Sequence, residues 1–179
     1  MGNNNISGGD GTDTVIFAGD IGQYTFSIDA ISGDITISDS HSRRDGNDTV
    51  NSIENYSFNN QNYDLGDVVR KTNFDEWSYL ASHLDLIKAF GTNTTAAFNH
   101  YVNYGHQAGR SPDTFDEWSY LASNVDLISV FGPNADAATK HYVAYGHATH
   151  NKDTFDEWGY LASNSDLMNA FGTNTDAAT

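Results

Sequence analysis

The stretch Phe74-Asp75-Glu76-Trp77-Ser78-Tyr79-Leu80-Ala81-Ser82 is written again at 115–123, and with one change, as FDEWGYLAS, at 155–163. The starts at 74, 115 and 155 lie 41 and then 40 residues apart, so the C-terminal part is a tandem array and not one enzyme-like domain. Residues 74–114 form the first helical repeat, 115–154 the second and 155–179 a shortened third. Each full unit is expected to hold three short helices. The first opens at a capping box, Asn73 with Glu76, Thr114 with Glu117 and Thr154 with Glu157. The second begins at Ser82, Ser123 or Ser163, paired with Asp85, Asp126 or Asp166, and stops at Gly91, Gly132 or Gly172. The third runs from Asn93 or Asn134 to Gly105 or Gly146. Helices this short persist only when packed, which predicts a small α-solenoid or a string of helical beads.

The recurring large residues predict the buried face. Trp77, Leu80, Ile87 and Phe90 return as Trp118, Leu121, Ile128 and Phe131, and Ala97, Tyr101 and Tyr104 return as Ala138, Tyr142 and Tyr145. The tryptophans, Trp158 included, read as core. Tyr79, Tyr120 and Tyr160 fall on another helix face, where a ladder of tyrosines beside aspartate would suit stacking on sugar rings. The paired acids Asp75–Glu76, Asp116–Glu117 and Asp156–Glu157 recur at helix N-termini, where the dipole favours them; a hydrolase sets one carboxylate pair across a cleft. No GxSxG elbow surrounds Ser82, Ser123 or Ser163. No catalytic residue is expected.

Composition narrows the classes further. The 179 residues carry 24 acids against 8 bases, a formal charge of −16, which repels nucleic-acid backbones and anionic bilayers. Cysteine is absent, which excludes disulfides and thiolate metal sites. No apolar run approaches the roughly 20 residues of a membrane span, and the opening GNNNISGG is neither basic nor apolar, as a cleavable signal would be. Histidines are the other candidate ligands: His100, His106, His141, His147 and His150 cluster near the ends of the third helices, without an HExxH spacing. His100 and His141 share one repeat slot beside a tyrosine. That placement reads as a ring nitrogen holding a loop carbonyl, with a haem or metal site as the alternative.

Residues 1–68 are patterned differently, and 69–73 read as a linker. GGDGTDTV (8–15) fits the nonapeptide GGxGxDxU at Gly8, Gly9, Gly11, Asp13 and Val15, and one period earlier Gly2, Asn4 and Ile6 fill the matching slots. Glycines allow tight turns whose carbonyls and aspartates converge on Ca²⁺, while the apolar position starts a short strand of a parallel roll. Tyr24, Phe26 and Ile28, an ISGD turn, then Ile35 and Ile37 predict a hairpin, and DGNDTV (45–50) leads into a strand with Tyr56 and Phe58.

These residues resemble the repeats-in-toxin (hemolysin-type) secreted calcium-binding proteins over roughly residues 2–65. The helical units are similar to a repeat of large bacterial secreted and surface proteins that runs from FD through YLAxNxDL to HYxxYGxxxGR. The first unit keeps the ending as His100, Tyr101, Tyr104, Gly105, Gly109 and Arg110, whereas Gly146 of the second is followed by HATHNKD. The resemblance implies calcium ligation, with Asp13 foremost, Gly8, Gly9, Asp10 and Gly11 shaping the turn, and Asn4, Asp45 and Asp48 behind it. It also implies a secreted or cell-surface protein exported by a one-step type I route, and no catalytic activity. The expectation is thus an α+β chain, with an N-terminal β segment of calcium-roll-like turn plus antiparallel hairpins, then an all-α array of short helices. Its expected work is non-enzymatic: a structural or adhesive module that self-associates or meets another protein or a surface glycan, with haem or metal binding through the histidines and glycan binding through Tyr and Asp as alternatives. Neither nucleic-acid binding nor membrane insertion is expected, and the face around Trp158, Leu161 and Phe171 should be partly uncovered.

Overall fold

The computed structural model describes residues 2–175 and 177. The fold is α+β, strands first and helices after, and it divides into two compact units, Met1–Thr114 and Phe115–Thr179.

In the first unit, β1 (Asn5–Ser7) and β2 (Thr14–Phe17) are followed by the hairpin β3 (Tyr24–Ile28) and β4 (Ile35–Asp39), then β5 (Asn47–Asn51), β6 (Asn55–Phe58) and β7 (Gln61–Asp64). One sheet has the order β1-β5-β4-β3 and the other β2-β6-β7. The pairs β1/β5 and β2/β6 are parallel, with Ile6 beside Val50 and Val15 beside Tyr56, and the remaining pairs are antiparallel. The chain therefore makes one coil, β1 to β2, inserts a hairpin, and lays a second coil, β5 to β6, on the first. Alternation drives this arrangement: Val15 and Phe17 point inward while Ile16 between them is exposed. Phe17 stacks on Phe58 at 4.8 Å, the Tyr24 ring meets Phe58 edge-on at 5.0 Å, and Ile35, Ile37 and Val50 are fully buried. The hairpin turn is closed by the Asp29 carboxylate, which accepts from the Ile31 and Ser32 amides at 3.0 and 2.7 Å.

The same unit continues through α1 (Leu65–Val69), α2 (Glu76–Ser82), α3 (Leu84–Phe90) and α4 (Thr94–His100), the last running on as a π-helical turn, Tyr101–Gly105. Residues 69–73, expected as a linker, are bound into it. Val69 is buried, the Arg70 guanidinium lies 3.9 Å from the Phe98 ring centre, and Asn73 accepts the Ile28 amide at 2.9 Å. The Asp113 amide donates to the Ala30 carbonyl at 2.9 Å, so both ends of the first repeat are tied to the β hairpin.

The second unit repeats the helical plan. It has α5 (Glu117–Ala122), α6 (Val125–Phe131), α7 (Ala135–His141) with its π-helical turn Tyr142–Gly146, the short α8 (His147–Thr149), then α9 (Glu157–Ser163) and α10 (Ser165–Phe171). Gly91, Gly132 and Gly172 end the second helices at φ of 59°, 56° and 62°, a positive φ that glycine adopts without strain, but with ψ of −124°, −143° and −123° in place of the expected left-handed helical cap. Asn93 and Asn134 cap the third helices by accepting the Ala96 and Ala137 amides.

Two expected caps lie elsewhere. The first helices are capped by Asp75, Asp116 and Asp156, which accept from the amides of Ser78, Ser119 and Gly159, and not by Asn73, Thr114 or Thr154. An extended backbone at Asp lets its carboxylate reach three residues on, so the acid itself serves as the cap. The second helices start without a side-chain cap at His83, Asn124 and Asn164. The hydroxyls of Ser82 and Ser123 instead accept the Thr114 and Thr154 amides at 2.7 Å, binding the end of each first helix to the last residue of its own repeat.

The buried face also differs from the periodic reading. Tyr79 and Tyr120 are fully buried, whereas Trp118 and Trp158 are 43% and 55% exposed and Trp77 is half-buried. Tyr104 and Tyr145, expected inside, are exposed. The cause is the π-helical turn, closed by the His106 amide on the Tyr101 carbonyl at 2.8 Å; its wider winding carries Tyr104 outward and Gly105 inward. A Cβ on Gly105 would run into the Tyr79 hydroxyl, and one on Gly146 into that of Tyr120. Gly105→Ala and Gly146→Ala are each expected to cost about 1–3 kcal/mol by overpacking, read as a lower urea midpoint.

Candidate functional site

The two coils set the nonapeptide slots side by side. Since β1 runs parallel to β5, Asn4 lies against Asp48; since β2 runs parallel to β6, Asp13 lies against Glu54. The turn between β1 and β2, residues 8–13, is longer than residues 52–54, which join β5 to β6, so the glycine-rich loop stands out from its neighbour. Gly9 and Gly11 sit at φ of 83° and 120°, in the region that favours glycine. Gly8 is packed so closely on the Ser52 carbonyl and the Asp13 side chain that a Cβ has no room.

The expected ligands divide by what already satisfies them. Asp48 is buried, and its Oδ1 accepts both the Asn4 amide at 3.0 Å and the Asn4 side-chain Nδ2 at 2.7 Å. Asparagine in an aspartate slot thus supplies the hydrogen-bond donors that a carboxylate there could not. Asp45 Oδ2 accepts the Tyr24 hydroxyl and, at 2.9 Å, the Ala18 amide, so it braces the bend after β2. Asp10 is exposed in the loop. Asp13 is different: its Oδ2 is buried with no hydrogen-bond partner among the described residues, while its amide donates to Glu54 Oε2 at 2.9 Å. Glu54 was not singled out from the sequence, although it precedes β6 as Asp13 precedes β2 and the register alone pairs them. Among the described residues no group of three or more His, Cys, Asp or Glu is arranged to hold a metal.

The histidines are engaged with tyrosines and carbonyls. His100 Nδ1 pairs with the Tyr79 hydroxyl at 3.0 Å and His141 Nδ1 with that of Tyr120 at 2.9 Å, so the shared slot holds a phenol and not a loop carbonyl. His147 Nδ1 meets the Tyr142 carbonyl at 3.1 Å, and His150 Nε2 lies 3.3 Å from Asp126. His106 lies edge-on to the Tyr101 ring at 5.8 Å. The tyrosines expected to offer a sugar-stacking ladder have two of their members, Tyr79 and Tyr120, closed inside the helical core.

Burial holds the His100, His141 and His106 imidazoles below their ordinary value of 6.5 and pushes the Tyr79 and Tyr120 phenols up to about 12. For His100 the nearby Arg110 acts in the same direction as burial, and Asp85 opposes both. These imidazoles are neutral when folded, and the unfolded chain takes the proton more readily. Stability is therefore complete above about pH 6.5 and is lost as pH falls through the lowered folded-state values. The urea midpoint should be level above neutrality and decline below pH 6.5, with a further decline near pH 4 as Asp39 and Asp85, held below 3.8 by hydrogen bonds from Arg44 and Arg110, and Asp126, held below it by its hydrogen bond with His150, take up protons. His100→Gln combined with His141→Gln should flatten the first decline. Asn4→Asp should cost about 1–3 kcal/mol without divalent cations, because it sets a second carboxylate against buried Asp48. Millimolar calcium should restore most of that loss, read by melting temperature.

No family model, curated protein or solved structure matches this chain.

Proposed function

We propose that this chain is a non-enzymatic, calcium-binding structural or adhesive module of a bacterial secreted or cell-surface protein, acting through self-association or contact with another protein or a surface glycan. The calcium half rests on one observation above all: Oδ2 of half-buried Asp13 is itself buried and has no hydrogen-bond partner among the described residues, while the Asp13 amide donates to Glu54 of the next coil. A buried carboxylate oxygen without a donor is unfavourable, and a hard cation satisfies it. Asp13 and Glu54 would hold the ion, with backbone carbonyls of the Gly8–Gly11 loop as its further oxygen ligands. When bound, calcium supplies the positive charge that joins the turns of two successive coils. In a chain of net charge −16 it also relieves local repulsion.

The structural half is supported by repetition. The polar pairings at the ends of the helices recur from unit to unit, which marks them as parts of the scaffold, and Tyr104 and Tyr145 are left exposed in the same slot of the first two repeats. Extracellular placement and type I export follow from the resemblance of Gly8–Val15 and of the helical units to secreted calcium-roll proteins.

Calorimetric titration with calcium up to millimolar levels tests the reading. About one ion should bind and raise the melting temperature, by about 1.4 kcal/mol of stability at a tenfold excess over Kd. Asp13→Asn and Glu54→Gln should each abolish the uptake, and Asp10→Asn should leave it. No uptake in the parent chain would remove calcium from the function.

A further inference from the structure

The first two repeats each hold one large ring outward in the same slot. Tyr104 is 67% exposed and Tyr145 69%, although each lies in a π-helical turn whose other tyrosine, Tyr101 or Tyr142, is buried. Regular α-winding would turn these rings toward the core, and the π turn, a distortion frequent at functional sites, keeps them in water. Each ring rests on an imidazole: Tyr104 lies 5.9 Å from His100 at 47°, and Tyr145 6.1 Å from His141 at 48°. Both imidazoles are half-buried, backed by Phe90 and Phe131 at 5.8 and 5.4 Å. Since Nδ1 of each is engaged by Tyr79 or Tyr120, Nε2 is the nitrogen left for a ligand, and it has no hydrogen bond among the described residues. A polar pair stands beside each imidazole. In the first repeat Arg110 donates to both oxygens of Asp85 at 3.1 and 2.7 Å; in the second His150 Nε2 lies 3.3 Å from Asp126. Both pairs are near enough for their charges to act on His100 and His141. The partner has changed from arginine to histidine between the two repeats, yet the aspartate and its pairing are kept.

We propose that Tyr104 and Tyr145 are the stacking platforms of two shelves, each of which binds one pyranose ring of an uncharged glycan. The C–H face of a pyranose is apolar and covers an exposed ring, while its hydroxyls, each both donor and acceptor, suit the imidazole Nε2 in either tautomer and the remaining lone pairs of the aspartate. Other occupants fit less well. A cation is drawn to a ring beside a carboxylate, but Asp85 and Asp126 already have partners, so it finds no unmet charge there. An acidic sugar meets a chain of net charge −16 with an aspartate at each shelf. An apolar side chain would cover the ring and leave Nε2 and the aspartate without partners. Each shelf is complete within its own compact unit. The inference rests on the surface-glycan reading of the proposed function, assigns it to Tyr104 and Tyr145 in place of the buried Tyr79 and Tyr120, and is independent of calcium.

The test is an NMR titration of the isotope-labelled chain with chitotetraose, cellotetraose and maltotetraose, each to about 10 mM, enough to report a site of millimolar Kd, with tetragalacturonate as the acidic control. Sedimentation of the chain and calcium uptake are measured on the same samples. The expected result is saturable shifts at Tyr104, His100, Tyr145 and His141 with at least one neutral tetrasaccharide and none with tetragalacturonate. Tyr104→Ala should weaken binding at its own shelf about tenfold and leave the shifts at Tyr145, and Tyr145→Ala should do the reverse. Tyr104→Phe, which keeps the ring, should bind within about twofold of the parent. Both alanine variants should melt as the parent does, because the rings they remove are exposed. Absence of shifts at both tyrosines with all the neutral sugars, equal shifts with tetragalacturonate, or shifts that survive the double alanine variant overturns the proposal. So does a parent that binds none of the sugars and self-associates until both tyrosines are replaced; the contact half of the proposed function then stands through another copy of the chain. Calcium uptake that persists in any of these outcomes leaves the calcium reading intact.

Discussion

The helical part depends on one polar contact buried among rings: a tyrosine hydroxyl from the first helix meeting a histidine Nδ1 from the third, with a glycine backbone beside it. A phenol brought into an apolar core costs free energy unless it finds a partner, and helices of seven residues contribute little apolar area to offset that cost. The imidazole provides the partner. Its position is set by the switch from α- to π-helical winding, which also brings the glycine inward. Cap, hydrogen bond and backbone distortion thus form one arrangement, and Phe74 or Phe115 completes it by stacking on the neighbouring tyrosine.

The β segment solves a different problem, that of stacking two turns rich in carboxylates. On one side asparagine replaces aspartate and the pair satisfies itself through donors on Asn4. On the other side Asp13 and Glu54 share a register position, the Asp13 amide donates to Glu54 Oε2, and Asp13 Oδ2 lacks a donor among the described residues. The same coil geometry therefore closes one polar junction and leaves the other with a carboxylate oxygen that has no donor among the described residues. That asymmetry is a product of a single amide for carboxylate exchange at Asn4.

Much of this was legible in the chain. The repeat length, the glycine stops, the asparagine caps of the third helices, the hairpin and the α+β order follow from local chemistry that each residue carries with it. What was not legible depended on register or on winding. Glu54 became a site residue only because a parallel ladder set it beside Asp13, and nothing nearby in sequence announces that partner. The exchange of roles between tryptophan and tyrosine arose in the same way. Regular 3.6-residue periodicity places Trp77 inside with Leu80, but the third helix approaches the other side, where Tyr79 has a histidine to meet. The caps moved by two residues because Asp75, Asp116 and Asp156 outcompete the residues before them for the first free amides.

The serine that ends each first helix carries a mechanical meaning. Ser82 and Ser123 each hold an amide 32 and 31 residues further on, so each of the first two repeats is a loop closed at its own neck, where His83 with the Ser111 carbonyl and Asn124 with Asn151 add further hydrogen bonds. Tension applied along the chain would act on that neck before it reached the aromatic cluster inside. Once the neck opens, the slack of one loop is released, and the next repeat then takes the load at its own serine. A protein of this construction yields to force in near-equal increments of length, as a set of clasps in series does, instead of giving way all at once.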